Sequence, residues 1–197
     1  MNTLYFTPTS PFVRKIRVLI RELGLQDRFD EVLSAPLDDP AALLAANPLA
    51  KVPAMKLANG DMLYDSRVIC DWLLAHRPTS AAAPADNAHW QTRRRAALAD
   101  GMTDAAVAMS FENRRPAEQQ SDYWLARWTR AIERAVATLD SEVATLAADI
   151  DAVSAAAALS YLDLRQPQIA WRTQAPALSD WLDAFAQRPS MRATAPA

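Results

Sequence analysis

The chain has 197 residues, of which 51% are apolar and 22% charged, with a formal net charge of −2. This is enough apolar material for one large core or two smaller ones, and the near-neutral balance gives no reason to expect nucleic acid as a partner. One cysteine (Cys70), two histidines (His76 and His89) and three glycines exclude an internal disulfide, a Cys-rich zinc site, a P-loop and a dinucleotide fingerprint, so no metal is expected.

Residues 1–76 alternate strand and helix signals. Leu4-Tyr5-Phe6 forms a short apolar run, followed by Thr7-Pro8-Thr9-Ser10. Pro11 then opens a helix whose stripe is Phe12, Ile16, Leu19 and Leu23, and Gly24 stands where a helix-ending glycine belongs. Residues 29–33 read as a second strand. Asp39-Pro40 opens a short helix that Asn47-Pro48 stops. Residues 53–57 and 62–64 make a hairpin about Asn59-Gly60. Asp65-Ser66 caps a helix with Ile69, Trp72 and Leu73 on one face. The order is β-α-β-α-β-β-α.

The stretch 77–86, with two prolines and small residues, reads as a linker. Residues 87–197 read as wholly helical and rich in alanine. Their stripes are Leu98-Met102-Ala105-Met109, then Trp124-Trp128-Ile132-Ala135-Leu139, Val153-Ala157-Ser160-Leu164 and Leu178-Trp181-Leu182-Phe185. No apolar run approaches the ~18 residues of a membrane span. No basic stretch followed by an apolar one opens the chain. A cytoplasmic protein with no membrane partner is expected.

Three places carry possible chemistry. Pro11 fits the first helical position, where its missing N–H costs nothing, which makes Ser10 the N-cap. Ser10 either caps the helix and nothing more, or its hydroxyl and the first-turn N–H groups hold an anion such as a thiolate. Thr9 competes for that place, because moving the cap by one residue exchanges their roles. In Asn47-Pro48-Leu49-Ala50-Lys51-Val52-Pro53, Pro53 makes either a plain turn or a cis bond that frees Val52 to pair with an extended peptide. Asp65-Ser66 is either an ordinary cap or a clamp for an amino acid's amine and carboxylate. Cys70 reads as a packed thiol, Arg93-Arg94-Arg95 and Arg114-Arg115 as solvated or locally paired faces, and Trp124 and Trp128 as core.

Taken together, a hydroxyl residue before "PFVRK", then "NPLAKVP", then "YDSRVICDWL" and an all-helical second half resemble the glutathione transferase family. "ALADGMTDAA", "FENRRP" and "ALSYLDLR" in the second half also resemble its bacterial members. The resemblance implies a thioredoxin-like domain over 1–76 that binds glutathione, a helical domain over 87–197 and a homodimer. It implies an enzyme that directs the glutathione thiolate at small hydrophobic electrophiles, as in detoxification. Reduction of peroxides or disulfides, or ligand binding without catalysis, are the alternatives.

By the same resemblance Ser10 donates to the glutathione sulfur, and Phe12 beside it belongs to the glutathione site. Val52, next to Pro53, pairs with the cysteinyl backbone, Lys51 reaches the peptide's backbone or glycine end, and Asp65 and Ser66 clamp the γ-glutamyl group. Asp104 matches an acid that in some classes reaches the γ-glutamyl amine across the dimer. Met102, Ala105, Met109 and Phe111 lie on the helix that faces the electrophile in this family; equally, their stripe packs as core. The chain departs from the family pattern in having Ala50 and Ser160 where glycines are usual. Asp149 stands at the cap of a late helix, with Ala152 in place of the second capping side chain.

Overall fold

A computed structural model describes residues 1–77, 86–146 and 149–196. The expected linker therefore lies almost wholly outside the described residues. The chain divides into two compact units, Met1–Ala83 with Pro189–Ala197, and Pro84–Arg188.

The first unit contains β1 (Asn2–Phe6), α1 (Pro11–Glu22), β2 (Phe29–Leu33), α2 (Ala41–Ala46), β3 (Ala54–Lys56), β4 (Met62–Leu63) and α3 (Ser66–Ala75). The sheet order is β2-β1-β3-β4. The strands β1 and β2 run parallel, which requires the crossover that α1 supplies; β3 is antiparallel to both β1 and β4. This is the anticipated βαβαββα order of a thioredoxin-like unit, with strand ends shifted by one or two residues. Leu4 and Met55, paired across the central strands, are fully buried. Leu43, Ala46 and Ala54 form a cluster with Tyr5, Val52 and Met62 against it.

Helix α1 is buried more widely than its sequence stripe suggests. Phe12 and Leu23 are partly exposed, whereas Val13, Ile16, Val18, Leu19 and Ile20 are buried. The reason is that α1 packs on α3 and also on a short last helix, α9 (Pro189–Arg192). Residues 189–196, read from sequence as part of the helical half, thus group with the first unit. On its outer side α1 is tied to β2. Arg17 Nε donates to Glu31 Oε2 at 2.9 Å and Arg21 Nη1 donates to Oε1 at 3.2 Å. Burial pushes the Glu31 carboxyl up, but the hydrogen bond and charge of Arg17, with Arg21, outweigh it and hold it below the ordinary value.

Gly24 ends α1 at φ +65°, with its N–H donating to Arg21 C=O and the Leu25 N–H to Ile20 C=O, the two bonds of a Schellman cap. A Cβ at Gly24 meets nothing within 4 Å. Gly24→Ala therefore costs about 1–2 kcal/mol through backbone conformation alone. Chemical denaturation will show it as a lower midpoint with an unchanged slope.

The second unit contains α4 (Asn87–Glu112), α5 (Asp122–Ser141), α6 (Ile150–Arg165), α7 (Trp171–Gln174) and α8 (Pro176–Phe185). Helix α6 lies at its centre. Every residue from 150 to 159 is buried, and α4 packs along its length. Alanines 155–158 suit that close approach, since a helix buried on all sides needs small side chains as well as apolar ones. Several polar groups inside are paired, although the buried Ser154 Oγ has no hydrogen-bond partner. Tyr161 O–H donates to Ser110 Oγ at 3.1 Å, and Gln166 Nε2 donates to Ala106 C=O at 3.0 Å. Asp163 of the "YLD" stretch accepts from the indole N–H of buried Trp171 at 2.8 Å and from Arg172 Nη2 at 2.8 Å, joining α6 to α7. Asp149 does cap α6, but through the adjacent Ile150 N–H. The buried acid is Asp151, two residues on, which accepts from Arg95 Nε at 2.7 Å.

Candidate functional site

Ser10 is the N-cap of α1. Its backbone is extended, its C=O accepts from Arg14 N–H at 2.9 Å, and its Oγ accepts from Val13 N–H at 3.3 Å. Pro11 occupies the first helical position, and its fixed φ sets which of two neighbouring hydroxyls becomes the cap. Thr9 lies one residue earlier and does not cap. Because Ser10 Oγ acts as acceptor inside the turn, its own O–H proton is left for an outside acceptor. Helix geometry leaves the Phe12 N–H as the first-turn donor with no intrahelical partner. A hydroxyl and a backbone N–H at the positive end of a 12-residue helix favour an anion there.

The second constellation is the loop 47–53. Asn47 is 2% exposed, and its side chain braces the loop from within. Asn47 Nδ2 donates to Lys51 C=O at 2.9 Å, and Oδ1 accepts from Leu49 N–H at 3.0 Å. Ala50 sits at φ +51°, a left-handed conformation, which is the physical reason a glycine is the commoner choice there. The Val52–Pro53 peptide is cis. Pro53 is buried, Val52 partly buried and the Lys51 side chain exposed. The ladder of β3 begins only at Ala54.

The third is the start of α3. Asp65 is its N-cap, with Oδ1 accepting from Arg67 N–H at 2.9 Å, and the Tyr64–Asp65 peptide is cis. Asp65 is exposed and Ser66 is 5% exposed. All three constellations thus belong to one unit, on loops that a single sheet supports.

Residues on α4 behave differently. Met102, Ala105 and Met109 are 2%, 7% and 3% exposed, whereas Phe111 is 51% exposed and has the Arg114 guanidinium over its ring at 5.2 Å. At about 100° per residue, Phe111 points about half a turn away from Met102. The four do not make one wall: the first three form a buried stripe and Phe111 stands on the opposite face. Asp104 is exposed.

Residues 9–76 match the family described as glutathione S-transferase, N-terminal domain. Over 194 residues the chain is 31% identical to the GST-like protein YibF of Escherichia coli K12, covering 95% of each. The chain belongs to the glutathione transferase family. Among solved glutathione transferases it resembles a family member from Pseudomonas fluorescens Pf-5 with bound glutathione, at 42% identity and a TM-score of 0.93 over 100% of both chains. A glutathione transferase from Methylobacillus flagellatus KT with glutathione bound is 34% identical, with a TM-score of 0.91, again over 100% of both chains.

Sequence reading of this family member missed the part played by Asn47. Its signal was the Asn-Pro pair, since a buried Asn before Pro can satisfy both ends of its amide on a tight loop. Among the described residues no group of His, Cys, Asp or Glu could hold a metal ion, and no helix is long and apolar enough to cross a membrane. Cys70 is buried.

Proposed function

We propose that the chain is a glutathione transferase that binds glutathione on its first unit and activates the thiol at Ser10. The observation that carries this reading is the Ser10 cap, whose hydroxyl accepts within the turn and so keeps its proton for the sulfur. A free thiol with a pKa near 8.5 is about 3% ionised at pH 7, and lowering that pKa by ~2 units takes ~2.7 kcal/mol. A charged hydrogen bond at ~1.5–3 kcal/mol and a helix terminus at ~0.3–1 kcal/mol together supply it. The thiol proton passes to solvent, and the thiolate then forms a C–S bond by displacing a leaving group such as halide or by adding across an activated double bond, with no covalent intermediate on the protein.

In this reading the Phe12 N–H also faces the sulfur. The Val52 backbone pairs with the cysteinyl residue, Lys51 reaches the glycine end, and Asp65 and Ser66 take the γ-glutamyl amine and carboxylate. Solved relatives that carry glutathione support the ligand. A cytoplasmic homodimer, with Asp104 reaching the partner's γ-glutamyl amine, completes the proposal. Of the α4 residues, Met102, Ala105 and Met109 serve as a soft apolar backing for the electrophile and Phe111 is left out of that set.

Calorimetry with glutathione, followed by turnover on an aryl halide, a hydroperoxide and a small disulfide, tests the proposal. Conjugation of the aryl halide supports it. Activity confined to the hydroperoxide or disulfide moves the same thiolate to reductive chemistry, and absence of binding removes the activity altogether.

The γ-glutamyl clamp has its own signature. Asp65→Asn keeps the α3 cap but removes the charge opposite the ammonium. It should weaken glutathione binding about 10-fold to 100-fold, as expected for one charged hydrogen bond, and leave kcat within about twofold. Steady-state kinetics with varied glutathione separate the two terms.

A further inference from the structure

Arg14 closes the turn that Ser10 caps, through its own N–H to Ser10 C=O at 2.9 Å. Its side chain is tied elsewhere. Nη2 donates to Met191 C=O at 3.3 Å, while Nε is buried with no hydrogen-bond partner. At the other end of α1, Ser190 Oγ donates to the Glu22 carboxylate. Arg14, Val18 and Glu22 recur at four-residue spacing, so they share one face of α1, and Val18 is fully buried. Ser190, Met191 and Thr194 are buried too, and Thr194 O–H donates to Ser190 C=O at 2.8 Å, which ties the segment to itself. The segment therefore grips α1 at both ends of one face.

We infer that residues 189–196 are a positioning element for the sulfur site, with Arg14 the positioning residue that links them to the Ser10 turn. Hydroxyl and N–H donors stabilise a developing anion only when held within a fraction of an ångström of the right place. The inference rests on the reading of Ser10 as the residue that activates glutathione.

Two single variants, Arg14→Met and Ser190→Ala, break the grip at opposite ends. In ligand-free protein the Val13 amide, which donates to Ser10 Oγ, should exchange with solvent about tenfold faster in both, because the first turn opens more often. With glutathione, the acidic limb of the kcat/KM profile should move up by about one pH unit in both, so that activity falls about fivefold at pH 6.5 and less than twofold at pH 9. Glutathione affinity at pH 6.5 should change less than threefold, since the Asp65 clamp lies on α3 and little of the free ligand is thiolate there. Unchanged Val13 exchange, or a pH profile that stays put while melting temperature drops, overturns the inference. So does a shift confined to Arg14→Met, which would be an effect of its charge. If the wild-type protein binds no glutathione, the proposed function fails, and Val13 exchange alone then decides whether the grip exists.

Discussion

Replacing Ser10 with alanine should lower conjugation at pH 7 by about 25-fold, and the deficit should close as pH rises above 9. The number follows from ionisation. If the bound thiol moves from a pKa near 6.5 back to about 8.5, its thiolate fraction at pH 7 falls from about three quarters to about 3%. Above both values the sulfur is ionised with or without help, so the two enzymes converge. A second, smaller loss comes with the first: alanine cannot accept from Val13 N–H, and an absent N-cap costs about 1 kcal/mol of stability. Ser10→Thr keeps both functions of the hydroxyl and should retain most activity. A pH titration of thiolate absorbance with bound glutathione gives the pKa directly. Wild-type rates in Ser10→Ala would remove this hydroxyl from the chemistry, and Thr9→Ala would then be the variant to make.

The largest loss of stability should come from Arg95→Met. Asp151 is 1% exposed, and its carboxylate accepts from Arg95 Nε at 2.7 Å and from Ala152 N–H at 2.9 Å. Burial pushes its pKa up; the Arg95 hydrogen bond and charge, with the Ala152 N–H, pull it down without fully cancelling the rise. The folded protein therefore holds this proton more tightly than the unfolded chain does. What the group contributes is complete below the ordinary carboxylate pKa and is lost as pH rises through the folded value. Removing Arg95 takes away the opposing pull and leaves a buried, unpaired carboxylate, which costs about 3–5 kcal/mol at pH 7. The deficit should shrink near pH 4, where Asp151 takes up its proton. Denaturant unfolding at pH 7.5 and pH 4.5 measures both, and a deficit of equal size at the two pH values would refute the account. The double variant Arg95→Met with Asp151→Leu should recover most of the loss, since an apolar pair leaves no charge behind.

The first unit was legible because each of its elements carries local punctuation. Pro11 and Gly24 bracket α1, Asn59-Gly60 turns the hairpin, and Asp65 starts α3. Backbone preferences at those positions act over a few residues and need no tertiary knowledge. The choice between Ser10 and Thr9 was left open because both hydroxyls can cap, and only the settled position of Pro11 separates them. The second unit was readable as helices but less so in its packing. Helix α6 is buried all round over residues 150–159, so its apolar pattern there has no polar face to contrast with. The partnership of Arg95 with Asp151 spans 56 residues and leaves no local mark. Phe111 was grouped with Met102 by residue type, whereas its angular position puts it on the other side of α4. The return of residues 189–196 to α1 was invisible for the same reason: four helical residues carry too short a period to show which surface they will meet.

That return has a consequence for biosynthesis. Val18 and its neighbours on α1 leave the ribosome early, but the residues that cover them are made more than 110 positions after α3 is complete. At ~5–20 residues per second the nascent unit waits of the order of ten seconds with one apolar flank bare. Whatever shields that flank during translation, chaperone or partly folded helices, acts before the cell has a finished molecule to use.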